Sequence, residues 1–187
     1  MSVKEKKRGR PKGASGQLST QAIMDMAKTL TQEEGKIPSI RKLASNLNVD
    51  AMAIYHYFSN KNALLEAITT SLIEDIYEPK VSDNWKSELN QLCGSYLTLL
   101  NNYPGLLETL LTMNSKSPAA VFVERFNVVT EPLNLDADSA KKALDLLVDY
   151  LHGFALALNC SGNQSTLKVG MFEGPLDMYC IALENVK

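Results

Sequence analysis

The chain has 187 residues, of which 45% are hydrophobic and 21% are charged, values close to the averages of globular proteins. This composition argues against a disordered tail, and no apolar run approaches the roughly 20 residues of a membrane span. The N-terminus is basic and lacks the apolar core of a signal peptide, so we expect a cytoplasmic protein. Cys93, Cys160 and Cys180 fit neither a disulfide framework nor a metal site, and we expect buried thiols and no metal or cofactor.

Charge is divided unevenly along the chain. The net charge is −2, but residues 1–62 carry 11 Lys and Arg against 5 Asp and Glu, whereas residues 63–187 carry 8 against 16. A basic head on an acidic body favours a polyanion as the partner of the head. Chance clustering of charges is the alternative.

Helical periodicity begins after a polar segment. Residues 1–18 are rich in Lys, Arg, Gly and Ser, and we expect them to form a flexible basic arm. From Ser19 onwards Ile23, Ala27 and Leu30 share one helical face, and Gly35 is placed to end this first helix.

Three further helices are predicted in the head. Ser39 can cap a second helix that ends at Asn48, a residue that tolerates the left-handed conformation of a tight helix exit. Asp50 can cap a third helix over 51–58, and a fourth begins at Asn60 and runs towards Pro79. The few residues between the second and third helices are typical of a helix-turn-helix.

The rest of the chain is also helical in pattern. Further helices are predicted at about 84–101, 104–113, 118–131, 137–160 and 172–185, and no strand pattern or internal repeat is found. The expected fold class is therefore all-α, with a three-helix helix-turn-helix domain at residues 19–64 and a larger helical bundle at residues 65–187.

The face of the third helix that is not needed for packing suits DNA. Small residues at the start of that helix allow a close approach to base edges, and Tyr hydroxyls and a Lys can contact phosphates. The segment Leu43-Ala44…Leu47-Asn48-Val49, followed by Tyr55-His56-Tyr57-Phe58 and Lys61, closely resembles the DNA-binding domain of the tetracycline-repressor (TetR) family. The resemblance covers about residues 19–68.

The resemblance implies that the third helix lies in the major groove. The chain departs from the family at Asn48, where Gly is usual, and at the apolar Ala51-Met52-Ala53, which leaves few polar base contacts. Arg41, thymine methyls and DNA shape would then supply specificity. The expected DNA-facing residues are Ser39, Arg41, Ala51, Met52, Ala53, Tyr55, His56, Tyr57 and Lys61; Phe58 is expected in the core.

The arm contains Arg8-Gly9-Arg10-Pro11, which resembles an AT-hook core. Arg8 and Arg10 could enter a narrow A·T-rich minor groove beside the site. A solvated basic tail that adds only non-specific affinity remains the alternative.

In the resembled family the body dimerises through its last two long helices and encloses a small-molecule pocket. For the dimer interface we expect Leu147, Leu151, Phe154, Leu158, Leu176, Tyr179 and Leu183, although such apolar helices could equally be internal core. For the pocket we expect Trp85, Tyr96, Tyr103, Met113, Phe122, Phe126, Tyr150 and His152, with a small apolar or cationic effector.

An enzyme is not expected, since the chain has only two His residues and no phosphate-binding loop, zinc spacing or nucleophile elbow. The sequence therefore predicts a sequence-specific transcriptional regulator, a ligand-responsive repressor that binds a pseudo-palindromic operator as a homodimer. The alternative is a helical protein whose basic head binds nucleic acid without sequence preference or small-molecule control.

Overall fold

The computed structural model describes residues 18–160 and 166–186. Within these ranges the chain forms nine α-helices, two short 3-10 turns and no strand, which confirms the predicted all-α class. Four helices make up the head: α1 Thr20–Glu34, α2 Ile40–Asn46, α3 Ala51–Tyr55 and α4 Lys61–Glu74.

Each head helix begins where the sequence places a cap. The side chains of Ser19, Ser39, Asp50 and Asn60 each accept a hydrogen bond from a backbone N–H in the first turn of α1, α2, α3 and α4. Such caps satisfy N–H groups that have no partner inside the helix. The four helix starts are therefore confirmed.

Three helix ends were predicted too far along the chain. The second helix was expected to end at Asn48 but ends at Asn46. The third helix was expected to reach Phe58 but ends at Tyr55, because the amides of Tyr57 and Phe58 both bond to the carbonyl of Ile54 and form a turn. The fourth helix was expected to run towards Pro79 but ends at Glu74, where the chain continues through a turn.

Asn48 has the left-handed conformation predicted from the sequence. Its φ is 53°, and it lies two residues after the end of α2, where the amide of Val49 reaches the carbonyl of Ala44 at 3.0 Å. Gly35 ends α1 in the same way, with φ 68°. These two left-handed residues set the angles at which α1, α2 and α3 follow one another.

Because Asn48 is exposed, its backbone conformation decides which residues fit there. We expect Asn48→Gly to keep full stability and Asn48→Val to lower the free energy of unfolding by about 1–2 kcal/mol, since a β-branched residue is strained at positive φ. Ser45→Val, at an exposed helical position nearby, is the control and should cost only a few tenths of a kcal/mol. Equal denaturation midpoints for the two Val variants would contradict this account.

Five helices form the body. They are α5 Trp85–Asn102, α6 Leu106–Thr112, α7 Ser117–Thr130, α8 Ala137–Cys160 and α9 Glu173–Glu184, with 3-10 turns at Glu131–Leu133 and Val169–Phe172. The buried centre of this bundle is α5, which packs against α4, α7, α8 and α9. All five lie within about two residues of the predicted ranges.

Head and body share one core. The α4 helix packs against α1 on the head side and against α7 on the body side, and the buried apolar residues of both parts form one connected cluster. Leu64 and Ile68 on α4 are buried at the head, and Leu72 and Ile73 are buried further along the same helix. The boundary at residues 64 and 65 stays a prediction, and it falls inside a continuous helix.

In the described part of the chain, α8 alone is long and apolar enough to cross a membrane by length and composition, with a mean hydropathy of 1.2. No apolar run of this length was predicted from the sequence. The helix also carries Asp145 and Asp149, and a buried stripe that includes Leu147 and Leu151 packs it against the body. Its composition is therefore that of an amphipathic body helix with an additional apolar surface.

Candidate functional site

The helix-turn-helix presents a continuous exposed surface. Ile54 on α3 and Phe58 just after it are buried and hold α3 against the head, as expected for Phe58. The side chain of Met52 is 65% exposed, and Ala51 and Ala53 beside it are half-buried. The exposed side chains around this apolar centre are Ser39, Arg41, Tyr55, His56, Tyr57 and Lys61. All nine residues predicted to face DNA in the described chain thus lie at least partly on the surface.

The cations of this surface differ in what they contact. Lys42 is held by Glu34, with 2.9 Å between Nζ and Oε1. Among the described residues, Arg41 and Lys61 form no ion pair or hydrogen bond through their side chains. Their charges are therefore available to a polyanion, whereas that of Lys42 is partly neutralised.

Tyr57 differs from the other exposed aromatics because its hydroxyl donates a hydrogen bond to the backbone carbonyl of Leu18. Since a phenol has one hydrogen to donate, Tyr57 has no second donor for a phosphate while this bond holds. Leu18 is the first described residue. Arg8 and Arg10 lie outside the described residues.

A cavity of about 490 Å³ lies in the body between α4, α6, α7, α5 and α8. Four of the eight residues predicted for a pocket line it: Tyr96, Met113, Phe122 and His152. The remaining lining residues are Ile73, Leu110, Leu111, Ser115, Pro118, Ala119, Val123, Leu144, Asp145, Val148 and Asp149. The volume is within the range of small-molecule sites, and the wall is mainly apolar.

The other four residues predicted for the pocket lie elsewhere. Phe126 and Trp85 are buried in the core, and Tyr103 is half-buried after the last residue of α5. Tyr150 faces away from the cavity, because its hydroxyl donates a 3.1 Å hydrogen bond to the carbonyl of Phe172. These side chains pack the body and do not line this cavity.

Two polar groups meet inside the cavity wall. The hydroxyl of Tyr96 lies 2.9 Å from Nε2 of His152, and the Tyr96 ring lies 4.8 Å from that of Phe122. Burial raises the pKa of Tyr96, and burial lowers the pKa of His152 although the charge of Asp149 opposes that shift. Both directions favour neutral groups, which share one hydrogen bond between the phenol oxygen and Nε2.

Asp145 and Asp149 also line this cavity. They were not predicted, because the expected lining consisted mainly of aromatic side chains. A signal was present: Asp145, Val148, Asp149 and His152 follow one another at helical spacing on one face of α8. In the described chain, no group of three His, Cys, Asp or Glu side chains is arranged to hold a metal ion.

The residues predicted for the dimer interface are not the exposed apolar residues of α8 and α9. Leu147, Leu151, Leu176 and Leu183 are buried within the protomer, so they are not free to meet a second chain. Phe154, Leu158 and Tyr179 are half-buried. A second apolar stripe is exposed instead, formed by Leu146, Gly153 and Leu156 on α8 and Pro175, Met178, Ile181 and Ala182 on α9. Cys160, expected to be buried, is exposed near this stripe at the end of α8.

Side chains from α7 and from the segment before it hold α4 near its middle and at its C-terminal end. Ser115, two residues before α7, and Ser117 each donate a 2.6 Å hydrogen bond to one carboxylate oxygen of Glu66 on α4, and these bonds lower the pKa of Glu66. At the C-terminal end, the Arg125 guanidinium donates to the carbonyls of Ile76 at 2.7 Å and Glu74 at 3.0 Å. Because Ser115 also lines the cavity, the cavity wall is directly connected to α4.

A second contact joins head and body at two left-handed glycines. Gly35 ends α1, and Gly105 precedes α6 with φ 84°. A Cβ on Gly105 would lie 2.7 Å from the carbonyl oxygen of Gly35, so the two backbones are in direct contact. Only a residue without a side chain fits at Gly105.

The family model of bacterial regulatory proteins of the tetR family matches residues 23–68, which include the whole exposed surface from α2 to the start of α4. Residues 23–68 are therefore similar to this segment of TetR-family regulators. A 66-residue segment of the chain is 33% identical to the class G tetracycline repressor protein of Vibrio anguillarum. That segment is 34% of the chain and 31% of the relative, so the chain spans about a third of the length of the curated relative it matches.

Solved structures of similar fold cover almost the whole chain. Apo ActR from Streptomyces coelicolor has a TM-score of 0.77 at 17% identity, over 91% of this chain and 97% of that one. A TetR variant from Acinetobacter baumannii in complex with minocycline has a TM-score of 0.72 at 23% identity, over 90% and 97%. BioQ with its double-stranded DNA operator has a TM-score of 0.70 at 20% identity, over 90% and 99%. At these identities the likeness establishes the shared fold of head and body.

Proposed function

We propose that this chain is a cytoplasmic, DNA-binding transcriptional regulator of the TetR family, and that it represses transcription as a ligand-responsive homodimer on a pseudo-palindromic operator. The observation that carries the proposal is the exposed surface of α2 and α3 within residues 23–68, which match the family's DNA-binding domain. A small apolar centre at Ala51, Met52 and Ala53 can approach base edges, and Arg41 and Lys61 are unpaired cations at its margin. BioQ, which shares the fold, has been solved with its operator.

The exposed stripe on α8 and α9 supports dimerisation. Leu146 is 62% exposed and Met178 74% exposed, although both lie among other apolar residues. Pairing α8 and α9 with the same helices of a second copy would bury this stripe in a four-helix interface. A two-fold dimer places two α3 helices on one side of DNA, so the operator should have half-sites about one helical turn or somewhat more apart.

Ligand response is proposed to pass through α4. Ile73 of α4 lines the cavity, and Ser115 of the cavity wall holds Glu66 near the head end of the same helix. A ligand that displaces either group changes the position of α4, and α4 packs directly against α1. In a dimer that shift alters the separation of the two α3 helices and so the operator affinity.

Selection from a random duplex library tests the function. The enriched sequence should be pseudo-palindromic, and fluorescence anisotropy should give about a thousandfold or greater preference for it over a scrambled duplex at physiological salt. A preference near unity at every salt concentration would favour the alternative, a nucleic-acid-binding protein without sequence preference.

Arg41→Ala is expected to weaken operator binding about tenfold and to reduce the slope of log affinity against log salt by about one, because an unpaired cation is lost from the DNA-facing surface. Lys80→Ala removes the same charge from an exposed position in the body and is the matched control. Anisotropy titrations at several salt concentrations measure both variants. Identical slopes would exclude Arg41 from phosphate contact.

A further inference from the structure

We propose that the cavity of the body binds a monovalent organic cation with an apolar or aromatic body, and that Asp149 is its counter-ion. The proposal names the ligand class of the regulatory site proposed above. Binding can be measured without DNA, so the ligand class and the regulatory role can fail separately.

The shape of the cavity selects an apolar molecule. Its volume of about 490 Å³ suits a drug-sized ligand, and residues such as Leu110, Val123 and Val148 supply most of its wall. Strongly hydrated ions and polyamines would lose more hydration there than the wall could replace. A ligand with a large apolar surface fits this lining.

The charge of the lining selects a cation. The only charged side chains that line the cavity in the described chain are the carboxylates of Asp145 and Asp149, and no Lys or Arg lines it. Asp145 is paired with Lys141, one turn before it on α8. Asp149 has no hydrogen bond or ion pair among the described residues, so its charge is left for a ligand. An anionic ligand would meet two carboxylates and no cation.

The aromatic residues favour the same ligand. The rings of Tyr96 and Phe122 lie 4.8 Å apart in the wall, and ring faces attract cations whose charge is weakly hydrated. Asp149 is exposed at the rim, whereas Tyr96 and Phe122 are buried. The arrangement suits a molecule whose charged group stays near the rim while its apolar part enters the cavity.

Charge-matched probes test the proposal on the full chain. Isothermal titration calorimetry would compare tetraphenylphosphonium with tetraphenylborate, which has nearly the same shape and the opposite charge, and would add the smaller benzyltrimethylammonium so that size alone does not decide the result. At least one cation should bind one per chain, and the borate should bind at least tenfold more weakly. Failure of both cations, or equal binding of the borate, overturns the proposal.

Asp149→Asn is expected to weaken cation binding roughly five- to tenfold, as the loss of a partly exposed counter-ion implies. Asp83→Asn, an exposed carboxylate between α4 and α5 that does not line the cavity, is the matched control and should bind as the wild type does. Circular dichroism verifies that both variants are folded. Unchanged affinity in Asp149→Asn overturns the role of Asp149. If the cation binds but leaves operator affinity unchanged, the ligand class stands and the proposed regulation fails.

Discussion

A chain that carries both Met178→Glu and Ile181→Glu is expected to be a monomer that binds the operator at least a hundredfold more weakly than the wild type. The two residues lie about one turn apart on α9, and their side chains are 74% and 58% exposed. Two-fold symmetry would place four new carboxylates in the proposed interface. The cost of burying such charges exceeds several kcal/mol, which is enough to dissociate a dimer of ordinary affinity.

The loss of DNA binding follows from the loss of the second head. In a dimer, binding of one half-site holds the other head close to its own half-site, and a monomer lacks this high effective concentration. Sedimentation velocity gives the oligomeric state, and anisotropy gives the operator affinity. Because both residues are exposed in the protomer, the variant should keep its helical circular dichroism spectrum.

Val81→Glu is the matched control, since Val81 is an exposed apolar residue, 55% accessible, in the connection between α4 and α5. It should remain dimeric with normal operator affinity. If the double variant sediments as a dimer, the exposed stripe of α8 and α9 is not the interface.

Local signals in the sequence account for most of the fold that was predicted correctly. A cap acts within three residues, so Ser39, Asp50 and Asn60 could be identified without knowledge of the tertiary structure. Asn48 was also predicted correctly, because few residues other than Gly tolerate a left-handed backbone. The ends of α3 and α4 were harder to predict, since no Gly or Pro stands where each helix ends.

The exposed stripe could not be identified from periodicity. Leu146 and Leu147 are adjacent and equally apolar, yet Leu146 is exposed and Leu147 is buried. When two neighbouring faces of one helix are apolar, the pattern shows that both avoid water but not which one contacts the protomer's own core. The arrangement of α8 against α5 and α7 decides between them, and that arrangement depends on contacts distant in sequence.

The residues that line the cavity could be predicted only in part, for a related reason. Phe122 and Phe126 are one turn apart on α7, but Phe122 lines the cavity and Phe126 is part of the solid core. Whether an aromatic side chain borders a cavity or is fully packed depends on the arrangement of several helices. Asp145 and Asp149 were counted only toward the overall negative charge of the body. Their spacing nevertheless places them on one face of α8 with His152.

Gly105→Ala is expected to lower the free energy of unfolding by about 2 kcal/mol or more, which corresponds to about 4–8 °C in Tm for a chain of this size. The residue has φ 84°, where an L-amino acid is strained, and its new Cβ would lie 2.7 Å from the carbonyl oxygen of Gly35. Backbone atoms border the site, so no flexible side chain can move aside. Either α6 or the loop between α1 and α2 must shift.

That shift should also affect DNA binding, because the displaced loop leads directly into α2 and Arg41. We expect operator affinity to fall about tenfold in Gly105→Ala. Gly170→Ala is the control, since a Cβ there meets nothing within 4 Å. Thermal unfolding and anisotropy measure the two effects separately. A Gly105→Ala protein with the Tm and operator affinity of Gly170→Ala would mean that head and body do not communicate through this glycine contact. The route between them would then be α4, which α7 and the preceding segment hold through Arg125 and Ser115.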